Sequence, residues 1–284
     1  MKNIILLIVI LSGFLNCFAQ NEKSLLWEIS GNGLENPSYL YGTIHFICPD
    51  DFNMDESIKL AFEEVEQLYL EIDFDDQAML AEMQSLMIMQ NGKSVSDFLS
   101  HEESEKLDQF FKSNIGAGLA QLGTIKPFAL MSLMIRPLIG CEPKSFDLEF
   151  AEMAGKNQIE ILGLETAAYQ LSLFDSIPYN LQYEMLVELV ENKDDGIKEF
   201  DEMVKAYKEK DLDALANMMD DSEWDYNGYE DLLIYNRNKN WIPLIEKAVQ
   251  EMPTFIAVGS GHLPEEEGLI ILLREAGYNV KPVL

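Results

Sequence analysis

Short apolar runs that alternate with longer amphipathic stretches are the feature of this chain that most restricts its fold. The first two runs flank a turn rich in glycine, asparagine and proline, which predicts a β-hairpin. The other four each follow a stretch with helical periodicity, and strands that alternate with helices are typical of an α/β fold. We therefore predict a mixed central sheet with one antiparallel edge. The six predicted strands are 25–29, 38–44, 67–72, 159–164, 254–258 and 278–282.

Two long stretches of the chain, 76–138 and 179–235, are predicted to form successive helices, because neither contains a pattern typical of a strand. Neither is set off by a low-complexity linker, which would mark a domain boundary. We therefore predict helical insertions that cover one face of the sheet. The segment around 76–138 is expected to form a helical cap within a single α/β domain that spans 20–284.

The first 19 residues have the composition of a secretory signal peptide. A basic residue precedes a short apolar core, and the small residues Cys17 and Ala19 stand before the expected cleavage point. Cleavage there predicts an exported protein, periplasmic or secreted. Lipid anchoring at Cys17 is the less favoured alternative, because Phe14 and Asn16 fit a lipoprotein signal poorly. No segment of the mature chain is apolar and long enough to predict a membrane span.

The strongly acidic composition restricts the possible partners. The chain has 50 acidic and 20 basic residues, a formal net charge of −30. Such a surface repels nucleic-acid phosphates and anionic lipid headgroups, so we expect no nucleic-acid partner.

Two cysteines, Cys48 and Cys141, remain after the signal peptide. In an oxidising compartment such a pair predicts one disulfide. Two alternatives remain open from the sequence: two free thiols, or Cys48 as a metal ligand, since it follows His45 by three residues.

Two of the three histidines, His45 and His262, each end a Gly-x-x-His tetrapeptide after a predicted strand. Open α/β sheets bind their ligands at the carboxyl ends of strands, so these two are candidate site residues. The alternative is a pair of hydrogen-bonded core imidazoles. His101 differs, because Ser100 and Glu103 form a capping box around it. It is predicted to be an exposed residue in the first turn of a helix.

Two glutamates, Glu71 and Glu165, also follow predicted strands and are expected at the same edge of the sheet. Two imidazoles and one carboxylate form a ligand set for a catalytic divalent metal such as Mn, Co or Zn. We therefore predict that His45, His262 and Glu71 bind the metal and that Glu165 is a general base. Arg237 is predicted to stabilise an oxyanion or to hold a substrate carboxylate, or instead to form an ion pair with a core glutamate.

Several motifs together resemble those of the TraB/GumN family, in the same order along the chain. The resemblance covers nearly all of the mature protein. It implies a metal-dependent peptidase site with His45, His262 and a glutamate at its centre. It also implies a fold related to the erythromycin-esterase and ChaN-like group. The motifs are Leu40–His45, Tyr69–Glu71, Ser145–Asp147, Gly163–Thr166, Arg237–Asn238 and Val258–Pro264.

The leading functional hypothesis is therefore a metal-dependent hydrolase, a peptidase acting on peptides or exposed protein tails outside the cytoplasm. One alternative is a non-catalytic protein that binds a peptide or signal. The other is a haem or metal carrier that uses one histidine as an axial ligand.

Overall fold

The computed structural model describes residues 23–221 and 228–284, so the predicted signal peptide lies outside the described residues. The chain folds into a six-stranded mixed sheet surrounded by helices, which confirms the predicted fold class. All six predicted strands are present, and their observed bounds are β1 Leu26–Ser30, β2 Ser38–Thr43, β3 Gln67–Leu70, β4 Glu160–Gly163, β5 Thr254–Gly259 and β6 Asn279–Pro282.

The sheet has the order β4-β3-β5-β2-β1-β6. The first four strands in this order are parallel, whereas β1 pairs antiparallel with both β2 and β6. The predicted hairpin of β1 and β2 is therefore confirmed. The predicted antiparallel edge is confirmed as well, since the edge strand β6 pairs antiparallel with β1. The four parallel strands end at one edge of the sheet, and this edge carries the candidate site.

Helices make up most of the remaining chain. In the part of the chain that the structure describes, both long stretches without a strand signal consist of helices and their connections, as predicted from the sequence. The helices in chain order are α1 Glu56–Glu63, α2 Gln77–Leu86, α3 His101–Asn114, α4 Leu119–Leu122, α5 Pro127–Ile139, α6 Phe146–Asn157, α7 Ala167–Asp175, α8 Tyr179–Glu191, α9 Lys193–Lys208, α10 Leu212–Asp221, α11 Asn236–Glu251 and α12 Leu269–Glu275. Within the described ranges, none of them is both long and apolar enough to cross a bilayer.

The sheet is buried in the main apolar core. Every residue of β2 is buried, and β5 is buried up to its last residue. On one face the aromatic rings of Tyr41, Phe62, Phe150 and Phe255 lie in mutual contact, with centroids 4.9–6.3 Å apart. Such rings contribute both large apolar area and specific edge contacts. This packing holds β2 and β5, the strands that precede the two candidate histidines.

A second apolar core lies among α3, α5 and α8, apart from the sheet. Leu107, Phe111 and Leu130 pack there against Tyr183 and Leu186, all of them fully buried. The helices of 76–138 therefore share this core with α8, which lies beyond their end. The assignment of 76–138 as a cap within one domain stays a prediction.

The isolated segment 76–138 is accordingly expected not to fold alone, because Tyr183 and Leu186 would be missing from its core. Circular dichroism and thermal melting of the expressed fragment would measure this. A cooperative melting transition of the fragment would contradict the single-domain assignment.

Cys48 and Cys141 form a disulfide, with their Cα atoms 5.8 Å apart, as predicted. It joins the loop after β2 to the chain just after α5. Next to it, Ile47 and Lys144 exchange backbone hydrogen bonds of 2.8 and 3.0 Å. The bond uses both sulfur atoms, so the alternatives of free thiols and of Cys48 as a metal ligand do not apply to this structure.

Replacing both cysteines by serine is expected to lower the free energy of unfolding by about 2–4 kcal/mol, because the bond closes a long loop in the unfolded chain. The two residues are 93 positions apart. Urea denaturation of the double variant and the oxidised wild type would measure the difference. A difference below about 0.5 kcal/mol would mean that the bridge adds little to stability.

Candidate functional site

The four predicted site residues that follow strands lie at the carboxyl edge of the parallel part of the sheet. His45 follows β2, His262 follows β5, Glu71 follows β3 and Glu165 follows β4. Strand pairing continues beyond β3 and β4, since the backbone N–H of Glu165 donates to the carbonyl of Glu71 at 3.0 Å. Parallel strands end side by side, and so residues distant in sequence become neighbours.

Two glycines allow the histidine-bearing segments to approach each other. A Cβ atom added to Gly42 would lie 3.1 Å from the Cα atom of Ser260, closer than most Cβ contacts in proteins. A Cβ atom added to Gly259 would lie 3.3 Å from Glu71 Oε1 and 3.5 Å from His45 Nε2. It would also lie 3.7 Å from His262 Cδ2. The absence of a side chain on Gly259 thus leaves a small space bounded by two imidazoles and a carboxylate.

Arg237, in the first turn of α11, lies at the centre of the cluster. A single π-helical turn, Asp231–Tyr235, precedes α11, and such turns are frequent at functional sites. A guanidinium has five N–H donors, and here all five have acceptors. These contacts are Nε to Glu165 at 3.1 Å, Nη1 to the Leu233 carbonyl at 2.7 Å and to His262 Nε2 at 3.0 Å, and Nη2 to Glu71 Oε2 at 2.5 Å and to Glu165 Oε1 at 2.8 Å.

Of the roles that the sequence left open for Arg237, the structure contains the ion pair with core glutamates. The side chains of Arg237, Glu71 and Glu165 are all more than nine-tenths buried. Two buried carboxylates against one guanidinium leave the cluster with an excess of negative charge. This excess favours a further cation at the site.

The two carboxylates have opposite pKa shifts. Burial opposes ionisation of Glu71, yet the charge of Arg237, the two nearby imidazoles and the backbone N–H of Gly259 hold its pKa well below the usual range. Its Oε1 also accepts the backbone N–H of Gly259 at 2.8 Å. Burial raises the pKa of Glu165, against the hydrogen bond and charge of Arg237. Glu71 is therefore the permanently ionised member of the pair.

His262 is held in one tautomer by Asn238, the residue after Arg237. The side-chain amide of Asn238 donates to the carbonyls of His262 and Glu267, at 3.2 and 2.8 Å. Its oxygen therefore faces His262 Nδ1, 2.6 Å away, and accepts the proton on that nitrogen. Burial lowers the pKa of His262 to about 3, so the ring is neutral and Nε2 carries a lone pair. That lone pair accepts from Arg237 Nη1.

His45 is oriented by Asp147, in the first turn of α6. Its Nδ1 lies 3.0 Å from Asp147 Oδ2, and Thr43 Oγ1 donates to the other carboxylate oxygen at 3.0 Å. Desolvation opposes protonation of His45, but the hydrogen bond and charge of Asp147 raise its pKa to about 9. The side chain is 57% exposed, unlike the rest of the cluster. His45 Nε2 is thus the ring nitrogen that an incoming group can reach.

Replacing Asp147 by Asn is expected to lower the pKa of His45 from about 9 to below neutrality, because the hydrogen-bonded carboxylate charge is lost. In the wild type this ion pair contributes stability in full below about pH 6.5, and the contribution is lost as pH rises through about 9. Titration of the ring nitrogens by nuclear magnetic resonance would measure the change. Glu251→Gln, which removes an exposed carboxylate at the opposite edge of the sheet, is the control. An unchanged midpoint in Asp147→Asn would contradict the assignment.

The donor atoms are suitable for a divalent metal, but they are not yet arranged around one point. No group of three or more His, Cys, Asp or Glu side chains in 23–221 and 228–284 is arranged to hold an ion. His262 Nε2 and Glu71 Oε1 are 3.8 Å apart, close to the roughly 3.4 Å expected for two ligands of one tetrahedral ion. Arg237 prevents these atoms from binding an ion in this arrangement, because it donates to Nε2 of His262 and to one carboxylate oxygen of Glu71.

Four site residues carried no strong individual signal in the sequence. Asp147 and Asn238 fix the orientation of the two histidines, Gln170 donates to Glu71 Oε2 at 2.8 Å, and Trp241 donates to Glu165 Oε2 at 3.2 Å. Asp147 and Asn238 lie in two of the motifs that carry the family resemblance, which could have indicated them. Gln170 and Trp241 lie on helices whose docking against the sheet is not visible in the sequence. His101, by contrast, is exposed at the start of α3 inside the predicted capping box.

Fold and site together define a class of protein: a mixed α/β domain with two imidazoles, two carboxylates and one guanidinium at the carboxyl ends of parallel strands. The model of the TraB/PrgY/gumN family matches residues 25–282. The match spans almost the whole chain, and the protein belongs to this family.

The chain is also similar to a curated protein from Danio rerio, Metalloprotease TIKI2, with 22% identity over 321 residues. The match includes 92% of this chain but 61% of that relative, so this chain spans less than two thirds of its length. No solved structure gives a significant match.

Proposed function

We propose that this protein is a metal-dependent hydrolase that cleaves peptides or exposed protein tails outside the cytoplasm. The observation that carries the proposal is the space beside Gly259, bounded by His45 Nε2, Glu71 Oε1 and the ring of His262. The similarity to a protein named a metalloprotease supports the same reaction class. The disulfide is consistent with an oxidising compartment.

His45, His262 and Glu71 are the proposed ligands of a divalent ion such as Mn²⁺, Co²⁺ or Zn²⁺. Each histidine uses Nδ1 for an outer partner, Asp147 or Asn238, which leaves Nε2 directed toward the site. Metal-binding histidines in proteins have such partners almost always. Binding requires Arg237 Nη1 to leave His262 Nε2 and His45 to lose its proton. A bound ion would supply Lewis acidity toward a peptide carbonyl.

Glu165 is the proposed general base, and Arg237 is proposed to stabilise the oxyanion. A raised pKa suits a base that works near neutral pH. Both oxygens of Glu165 now accept hydrogen bonds, so it would exchange one from Arg237 for one from water. The same exchange would free an N–H of Arg237, whose five donors are otherwise all used.

The test is peptide cleavage by purified mature protein, after chelation and after addition of Mn²⁺, Co²⁺ or Zn²⁺. We expect chelation to abolish turnover and one of the ions to restore it. Glu165→Gln should retain the metal and lose about 10²–10⁴-fold in turnover, because proton transfer is impaired. Glu251→Gln, the same chemical change at an exposed site far from the cluster, should leave turnover unchanged.

Peptide cleavage that persists in the presence of chelator would contradict the metal dependence. Peptide binding at a fixed stoichiometry without turnover, whichever ion is added, would favour the non-catalytic binding protein. A Soret absorption band in the purified protein would favour the haem carrier.

A further inference from the structure

A large apolar cavity lies directly beside His45. Its volume is about 430 Å³, within the usual range for ligand pockets. Four helices, α5, α8, α9 and α10, form most of its wall. The helical residues that line it are Ile135, Leu138, Ile139, Leu189, Gly196, Ile197, Glu199, Phe200, Met203, Leu215 and Met218.

The cavity is continuous with the candidate site. Ile44, His45 and Phe46 line it after β2, and Ser260 and Gly261 line it after β5. The two Gly-x-x-His segments thus form one wall, and His45 lies at the junction of cavity and cluster. A group bound in the cavity would place its neighbouring atoms next to His45 Nε2.

From this placement we infer that the cavity binds a bulky apolar side chain of the peptide substrate, next to the bond that is cleaved. The inference rests on the proposed function and names its substrate class. Ile135, Ile197, Phe200 and Met203 are all only partly buried, so apolar surface remains free for a ligand. Covering that surface is favourable by roughly 25 cal/mol per Å².

The negative charge around the cavity further restricts which peptides can be substrates. Apart from His45, Glu199 is the one ionisable residue among the described residues that line the cavity. It is half-buried on α9, and the chain as a whole has a net charge of −30. An acidic side chain would meet like charge there. The preferred substrates are therefore peptides with a neutral apolar residue, such as Phe or Leu, and without acidic neighbours.

The test uses capped peptides that differ only by Phe, Ala or Asp at one position. Their affinities are measured calorimetrically with Glu165→Gln, which slows turnover, and their kcat/KM values are measured with the wild-type protein. We expect the Phe peptide to be preferred over the Ala peptide by roughly 10- to 100-fold, since apolar pockets discriminate by such factors. The Asp peptide should bind more weakly than the Ala peptide.

Two positions on α5 provide a matched pair of variants. Ile135 lines the cavity, whereas Leu133 is 37% exposed and does not line it. Ile135→Trp should fill the cavity and reduce the preference for Phe to below about threefold. Leu133→Trp should keep the full preference. Met203→Trp, on α9, repeats the filling experiment from another wall in case Ile135→Trp does not fold.

The outcomes separate this inference from the proposed function. Cleavage without a preference for Phe, or a preference unchanged by both filling variants, would overturn the cavity assignment alone. A Phe preference in binding that Ile135→Trp removes, without any cleavage, would keep the assignment and overturn the hydrolase. Binding of a fatty acid but of none of the peptides would overturn the peptide substrate.

Discussion

Replacing Arg237 by glutamine is expected to lower the free energy of unfolding by about 3–5 kcal/mol, because it leaves Glu71 and Glu165 buried without a countercharge. Both carboxylates are more than nine-tenths buried and contact the same guanidinium. Thermal and urea denaturation of the variant would measure the loss. Arg136→Gln is the matched control: its ion pair with Glu142 is mostly exposed. Exposed pairs contribute about 0–1 kcal/mol.

Two further variants test the cause of this loss. Arg237→Lys should recover only part of the stability, since one ammonium cannot contact His262, Glu71 and Glu165 in the geometry of the guanidinium. Adding Glu71→Gln to Arg237→Gln should restore part of it by removing a buried charge. If Arg237→Gln lowers the free energy of unfolding no more than Arg136→Gln does, the assignment of a buried charge network around Arg237 is wrong.

The second large effect is expected on metal binding. His45→Ala or His262→Ala should each weaken binding by more than about 100-fold, since loss of an outer partner alone costs 10–100-fold. The double variant should add little, because residues that act as one unit are not additive. Glu71→Gln should also weaken binding. Metal content after dialysis, with His101→Ala as the control, would measure these effects.

Full metal occupancy in either single histidine variant would contradict a shared ion. The variants Asp147→Asn and Asn238→Ala provide an intermediate test. Each keeps all three proposed ligands but loses the partner of one imidazole, so about 10–100-fold weaker binding is expected. Equal effects of ligand and partner variants would indicate loss of structure rather than loss of a donor atom.

The sequence contains enough information to locate the strands and the edge of the sheet that carries the site. Apolar runs and glycine-rich turns are local signals, and the observed strands lie within about one or two residues of the predicted bounds. Cys48 and Cys141 were predictable as a pair because the two cysteines that follow the predicted signal peptide have one possible bridge. That a glutamate or histidine follows each parallel strand could likewise be read directly.

The contacts within the cluster could not be predicted from the sequence. Arg237 lies 166 residues from Glu71, and Asp147 lies 102 residues from His45. Their meeting depends on how α6 and α11 dock against the sheet, which helical periodicity does not specify. The position of β6 outside β1 has the same origin, since strand order is set by the packing of the whole domain.

The strand order also affects when the site can form during synthesis. β5, near the end of the chain, lies between β2 and β3 in the finished sheet. Until residues 254–259 leave the ribosome, the β1–β2 hairpin and the β3–β4 pair have no strand to join them. His45 and Glu71 then belong to separate pieces of a nascent chain. Such distant pairings are slow to form. The candidate site is therefore among the last parts of the fold that can form, after β5 has joined the two pieces.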